Sequence, residues 1–397
     1  MDIPKYQTVA GQSFRVGSLN KADRRLRIQN TTVDECKEYA LLLERSGFAQ
    51  YAAKEIPSGS DATYNVNLFY TYCKDSLCVF LFWDASLHTT FITVEPSQAL
   101  PTAKAPAKEA CERTAVTLTQ LRLKKGMCYV VQLKNGEFIV VDGGIEHEPD
   151  EENLYDFLLS KAPRGKTPRI ALWLFTHAHN DHIQLATSFL VHYKNAIDVR
   201  AFAYQFADHD KIPLAMENVE DIKRDIDRLE ESMKNGYPDA RFYTLHTGQS
   251  YYFEGLEAEI LFSPDNTYPS HYISLNDMSV ALRLNFENGK KVLLLGDCMH
   301  DACRQLFHTY GEYLKSDVLQ VAHHGLIGGD KKLYQCIDPD VCFWSIEEER
   351  FLGRTPNQRY QWCLGEGGCD YNSFLRDDGV RKRAHYHAGV TTTLEIE

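Results

Sequence analysis

Three imidazoles and a carboxylate fall within six consecutive positions, at His177, His179, Asp181 and His182, in the run Thr176-His177-Ala178-His179-Asn180-Asp181-His182. The run follows an apolar stretch that predicts a buried strand and opens a stretch that predicts a helix. Packing does not explain it, because a buried polar group without a partner is costly and four together need a common one. A metal ion supplies that partner. His177 and His179 alternate along extended chain and can face one ion. Asp181 and His182 stand at the turn into the helix and can face a second. Imidazole and carboxylate donors suit zinc, with manganese or iron as alternatives.

Three other short motifs end predicted strands: Val141-Asp142-Gly143-Gly144, Leu295-Gly296-Asp297 and Val321-Ala322-His323-His324-Gly325. Alone, each has a plain explanation. A DGG is usually a turn, a GD before a helix can be a cap, and paired histidines can face solvent. Their order persuades, since all lie at strand C-termini, where the sites of layered folds gather. The set resembles the signature of the metallo-β-lactamase superfamily over about residues 115–397. That resemblance implies an α/β chain, a four-layer αββα sandwich with the metals at one edge of its two sheets. It further implies that Asp297 is a carboxylate touching both ions and that His323 or His324 supplies the last imidazole.

The third motif departs from the family pattern. Where a histidine often stands, this chain reads Ser270-His271-Tyr272-Ile273-Ser274-Leu275-Asn276-Asp277-Met278-Ser279-Val280. The Asn-x-x-Ser-Val element looks like the branch that contains the nuclease domain of DNA-uptake competence proteins. Phosphorylcholine esterases share related features. Asn276 is then a weak ligand or an outer donor, with His271 as the other candidate, and one metal position is expected to be looser. His385 and His387, in Arg383-Ala384-His385-Tyr386-His387, fit alternate positions of a strand. Such a strand either brings one of them near substrate or leaves both facing solvent.

The elements that must position these residues are legible in outline. Residues 1–110 read as an accessory α+β unit of unknown role: a helix over 33–47 and strands in NVNLFYTYC, LCVFLFWDA and HTTFITVE, forming a meander on that helix. The Pro/Ala/Lys-rich stretch 97–109 reads as a linker. Residues 111–397 alternate strand and helix. They open with a hairpin turning at Asn135-Gly136, and a helix near 216–235 carries Val219, Ile222, Ile226, Leu229 and Met233 on one apolar stripe. Later strands are EAEILFS, SVALRLNF, KVLLLGD, VLQVAHH and VCFWSI.

Composition removes several function classes. A net charge of -12 over 397 residues argues against the many phosphate contacts that long nucleic acid needs. Two local basic clusters, Lys21/Arg24/Arg25/Arg27 and Arg381/Lys382/Arg383, read as solvated faces. No run of about 18 apolar residues suggests a membrane span. The 11 cysteines are odd in number and form no CxxC pair, so neither a disulfide framework nor a zinc ribbon is expected. A reducing cytoplasm is the simplest compartment. Cys128 and Cys342 sit in apolar runs and read as small core hydrophobes.

Together these observations predict a hydrolase with one or two metal ions that bring a water toward a pKa of ~7 as nucleophile. Asp181 is expected to bind one ion and orient that water, and Asp142 to accept from a ligand imidazole and fix its tautomer. A small molecule or short phosphodiester is the expected substrate. A lactone, thioester or amide is the alternative. A metal-retaining binding or sensor protein with little turnover is a third reading.

Overall fold

In a computed structural model, residues 3–14, 25–59, 66–96, 100–101, 115–209, 212, 218–264, 274–352, 370–375 and 383–397 are described. His271, Lys21, Arg24, Arg381, Lys382 and most of the 97–109 stretch lie outside them.

Strict alternation of apolar side chains builds the layers from the strands outward. In Phe138–Val141, Ile139 and Val141 enter a core between two sheets, while Phe138 and Val140 enter a separate core under helices. In Lys291–Leu294, Val292 and Leu294 join the inter-sheet core, and Leu293 faces the opposite helices. Both strands are therefore apolar on two faces, as expected for strands buried from both sides. Helices Glu148–Lys161, Asn180–His192 and Val219–Gly236 cover the first sheet. Helices His300–Tyr310 and Lys331–Ile337 cover the second. The result is the four-layer αββα sandwich.

The first sheet runs in the order Arg241–Thr244, Ala201–Tyr204, Arg169–Leu174, Phe138–Val141, Tyr129–Gln132, Thr117–Gln120, Thr392–Glu395. The second runs Ser250–Phe253, Leu256–Phe262, Ala281–Phe286, Lys291–Leu294, Val318–Gln320, Val341–Trp344, Ala384–His387. Phe138–Val141 pairs parallel with Arg169–Leu174, and Lys291–Leu294 parallel with Val318–Gln320. Parallel pairing sends the segments after these four strands to one edge. Those segments carry Asp142, the 177–182 run, Asp297 and the His323-His324 pair.

The N-terminal residues form a five-stranded antiparallel sheet rather than a three-stranded meander. Its added strands are Arg25–Gln29 and Ala49–Pro57, both edges. Edge strands need few apolar residues, and only Ile28 in the first and Ala52 and Ile56 in the second are fully buried apolar positions. Helix Val33–Arg45, started by a Thr32/Glu35 capping box, packs on one face through Cys36, Tyr39, Ala40 and Leu43. The other face presents Ile56, Phe69 and Phe82 to the helix His300–Tyr310 side of the sandwich. Phe69 stacks on Tyr310 at 5.8 Å, and Asn67 Nδ2 donates to the Thr309 carbonyl at 2.7 Å.

Arg383 is not on a solvated face, contrary to the expectation for its basic run. It is buried, donating to the carbonyls of Pro339 and Phe374 and to Asp338, and lying over the Phe374 ring. A guanidinium can satisfy several carbonyls at once, which a composition-based reading of a basic run overlooks. The eight described cysteines are free thiols, with Cys128 and Cys342 packed in the apolar cores. No helix among the described residues is long and apolar enough to cross a membrane.

A buried ionic network joins the N-terminal sheet to the second sheet. Lys54 Nζ lies 2.6 Å from Glu257 and 2.7 Å from Glu259. Arg283 Nη2 donates to Glu259 at 3.0 Å, and its guanidinium lies over the Tyr313 ring. Burial alone would raise the Glu259 carboxyl, but Lys54 and Arg283 outweigh it and hold the group below its ordinary range. Because this carboxyl is depressed on folding, its stabilising contribution is complete above the unfolded-state value and is lost as pH falls through the folded one. Glu259→Leu should cost about 3–5 kcal/mol in urea titrations near neutral pH, since it leaves the buried Arg283 guanidinium without its carboxylate, while Lys54 keeps Glu257. The gap between variant and wild type should narrow in acid, below the ordinary carboxylate range.

Candidate metal centre

The strand Arg169–Leu174 ends three residues before His177, and helix Asn180–His192 starts with His179 as its N-cap. The run therefore bends around a strand-to-helix turn, with Asp181 and His182 in the first helical turn. Asp142 and Gly143 meet this turn from the neighbouring strand. Gly143 donates its N–H to the His182 carbonyl at 2.7 Å. A Cβ on Gly143 would lie 2.5 Å from the Ala186 Cβ, so no larger residue allows this approach.

Asp142 organises the interior of the site. It is fully buried at a left-handed φ of 59°. One oxygen accepts the Thr176 N–H at 2.7 Å, and the other accepts the Thr176 hydroxyl and His182 Nδ1, each at 2.7 Å. The Thr176 hydroxyl, having donated to Asp142, accepts from His177 Nδ1 at 3.2 Å. Both imidazoles are thereby oriented through Nδ1, leaving Nε2 to face inward. His324 is oriented likewise, its Nδ1 donating to the Ser345 carbonyl at 2.6 Å.

Those inward nitrogens converge on Asp297. One Asp297 oxygen lies 3.3 Å from His182 Nε2, 3.3 Å from His324 Nε2 and 3.8 Å from His177 Nε2. Asp181 stands 3.7 Å from His324 Nε2. His179 Nδ1 faces His177 Nε2 at 2.9 Å. Two groups of potential ligands result, His177/His179/Asp297 and Asp181/His182/His324, each with donor atoms within 4.8 Å of one another. Asp297 sits between them. The fit to a cation is tested by atoms left over. His182 Nε2, His324 Nε2, Asp297 Oδ1 and Asn276 Oδ1 are all buried without a hydrogen-bond partner. Four such orphans are expensive unless a shared partner satisfies them.

Charge tells the same story. Burial holds His177 and His179 below the usual imidazole range, so both are neutral and able to donate lone pairs. Burial also disfavours charge on His182, but Asp297 and Asp142 outweigh it, and Asp297 does the same for His324. Without a cation these two rings carry the positive charge that Asp297 requires. A bound cation would replace their protons.

The two members of the His323-His324 pair separate cleanly. His324 belongs to the cluster. His323 Nδ1 instead donates to the Ile327 carbonyl at 2.6 Å, and its Nε2 meets Asn276 Nδ2 at 3.2 Å. Both have positive φ, 50° and 57°, which is costly for residues with a Cβ and typical of functional turns. Asn276 sits in a short 3-10 turn, Asn276–Met278, beside the first group, where it adds an amide but no third imidazole. Ser279 of the same motif accepts the Asp297 N–H at 3.1 Å. Asp297 does not cap the following helix; Asp277 takes that place, accepting from Ala302 N–H at 3.1 Å.

His385 and His387 are not brought to this cluster. His385 Nδ1 accepts from Trp344 Nε1 at 3.1 Å, and His387 Nδ1 from Gly389 N–H at 3.2 Å. The described lining of the cleft over the cluster includes neither ring. Supporting residues that the motifs did not single out are Ser345 and Gln320. Gln320 Oε1 accepts the N–H groups of Leu295 and Gly296, each at 2.8 Å, pinning the turn before Asp297. A polar residue inside the apolar VLQVA run was the available signal. Lys124, Lys125 and Arg350 line the cleft, which has a volume of about 280 Å³.

The two helix-covered sheets and the histidine–aspartate cluster at their shared edge define a metallo-β-lactamase fold. Comparison with solved structures gives neighbours of that fold. The metallo-beta-lactamase fold protein YhfI from Bacillus subtilis is 10% identical, over 71% of this chain and 99% of its own, with a TM-score of 0.40. The diiron β-hydroxylase CmlA from Streptomyces venezuelae is 11% identical, over 76% of this chain and 55% of its own, at 0.40. Zn(2+)-bound PqqB from Methylobacterium extorquens is 13% identical, over 69% and 89%, at 0.38. Likenesses of this size carry no argument about this chain; the fold is defined by its own layers and topology. No family model matches the sequence, and no curated protein does.

Two outcomes follow from the hydrogen bonds and charges. Asp142→Asn removes one acceptor shared by Thr176 and His182, and should weaken zinc affinity by roughly 10–100-fold in chelator competition while circular dichroism stays native. Zinc added in weak buffer near neutral pH should release protons, and affinity should fall as pH is lowered from above the ordinary imidazole range, because the cation must displace the protons that Asp297 holds on His182 and His324.

Proposed function

We propose that this protein is a metal-dependent hydrolase with two neighbouring cation positions, acting on a phosphoester and preferably a small or short phosphodiester. The observation that carries the reading is the convergence of three inward imidazole nitrogens on one buried Asp297 oxygen, with unpartnered polar atoms around it. His177, His179 and Asp297 would hold one ion, and Asp181, His182 and His324 the other, with Asp297 Oδ2 lying 3.3 Å from both His182 and His324 of the second group. The donor set suits zinc, with manganese or iron as alternatives. When bound, such ions supply Lewis acidity and lower the pKa of water.

The chain's own residues do the rest. Asp142, Thr176 and the Ser345 carbonyl fix the tautomers of three imidazoles, so lone pairs point inward before any substrate arrives. Asp181, in the lining of the cleft, accepts a hydrogen bond from an incoming water and aims it. Asn276 and His323 also line the cleft and meet each other at 3.2 Å, offering an amide and an imidazole to a departing ester oxygen. Leu123, Leu326, Ile346 and Ala388 supply the apolar part of the cleft lining, which suits an apolar ester group. Lys124 and Lys125 bring ammonium groups to the cleft, while Arg350 is paired with Glu347, and these ammonium groups favour an anionic ester over a lactone, thioester or amide. The motif likeness to the competence-protein nuclease branch agrees with that choice. The overall charge of -12 favours a short substrate over long duplex.

The zinc-loaded wild type should release nitrophenolate from bis-nitrophenyl phosphate, and a chelator should stop it. Asp181→Ala should lower kcat/KM by at least ~100-fold, as expected when a group acting at the reacting centre is removed. A wild type that retains zinc yet matches Asp181→Ala on phosphodiesters, lactones and thioesters would identify a binding or sensor protein instead.

A further inference from the structure

We propose that Lys125 selects anionic esters for this site and becomes available to do so when a cation occupies the Asp181/His182/His324 group; this rests on the metallohydrolase reading above. Lys125 Nζ lies 3.3 Å from an Asp181 oxygen, with its side chain about half exposed in the cleft. That oxygen is the same one that faces His324. A cation between Asp181, His182 and His324 therefore competes with Lys125 for one carboxylate. Once the cation holds the oxygen, the ammonium loses its counter-charge without losing its place.

The place is built into the backbone. Lys125 accepts the Ile145 N–H on its carbonyl at 3.2 Å, and the preceding Lys124 N–H donates to Asp150 at 2.7 Å. Met127 N–H donates to the Asp181 carbonyl at 3.1 Å. Gly126, at φ +98°, lets the loop touch the helix: a Cβ there would fall 1.8 Å from the Asp181 carbonyl oxygen. The loop is thus stapled to the residue whose side chain Lys125 meets. Arg350, by contrast, is engaged by Glu347 at 2.7 Å, and Glu347 also lines the cleft. Between these two side chains, it is Lys125 that pairs with a group a cation would claim.

The ligand class follows from that placement. An ammonium beside the second cation position meets an oxygen attached to the atom under attack. A phosphodiester carries its negative charge on such oxygens, whereas a phosphotriester and a carboxylic ester carry none. A charge-assisted bond of this kind is stronger than a neutral one and has no value for a neutral substrate.

The test uses the zinc-loaded 397-residue protein, its Lys125→Met and Lys125→Arg variants, and two probes, bis-nitrophenyl phosphate and a neutral nitrophenyl dialkyl phosphate. Lys125→Met should raise KM for the diester by roughly 10–100-fold and change the triester by less than about twofold, with Lys125→Arg restoring most of the loss. Zinc affinity measured by chelator competition should be unchanged or higher in Lys125→Met, because a competing cation is gone. Equal losses on both probes, no loss on the diester, or weakened zinc binding would overturn the assignment. If neither probe turns over, calorimetry with inorganic phosphate decides, with weaker binding to Lys125→Met expected and equal binding overturning it. A wild type that retains no zinc sinks the metallohydrolase reading itself, a result distinct from all of these.

Discussion

The Asp297 carboxylate is buried where it requires positive charge, and much of the surrounding architecture answers that need. Three imidazole nitrogens within 3.8 Å of one oxygen are arranged so that either protons or a cation can neutralise it. Each nearby support serves this arrangement. Ser279 and Gln320 hold the turn that presents the carboxylate. Asp142 and Ser345 orient the rings that face it. Left-handed backbone at Asp142, His323 and His324 is the conformational cost of bringing these groups together.

The chemistry-bearing residues were the most legible part of the sequence, because neither packing nor capping accounts for a dense run of histidines and aspartate at a strand end. The sandwich was legible for a related reason: strands apolar on both faces demand helices on either side. What stayed hidden depends on backbone conformation. Nothing in the letters His323-His324 says which ring turns inward; that is set by consecutive positive φ values and by the Ser345 carbonyl, 21 residues away. The cap of helix His300–Tyr310 was assignable to Asp297 by position, yet Asp277 takes it across 25 residues. Spacing in His385-Tyr386-His387 suggested a strand, and a strand is there, but its neighbours Trp344 and Gly389 engage the two rings. The short or polar strands Arg25–Gln29, Ala49–Pro57 and Thr117–Gln120 escape pattern reading because an edge or a four-residue strand gives period-two alternation little room.

Among the described residues, the N-terminal sheet places no side chain in the cluster, yet it is joined to the sandwich by both apolar and ionic contacts. Ile56, Phe69 and Phe82 complete the core around helix His300–Tyr310, and Lys54 closes on Glu257 and Glu259. That helix begins just after Asp297. The sheet therefore reaches the cluster indirectly, by restraining the element that follows its central carboxylate.

The candidate ligands are divided between the halves of the sandwich. His177, His179, Asp181 and His182 hang from the first sheet, Asp297 and His324 from the second. An ion gripping both sets would act as a rivet across the seam. Sliding one sheet over the other would pull the ligand sets apart, so residues such as Ile139, Leu172, Leu282 and Leu294, buried far from any solvent, govern how well the seam is aligned. Drift in that hydrophobic interlayer over evolutionary time would be felt first as altered metal retention, before any ligand changed.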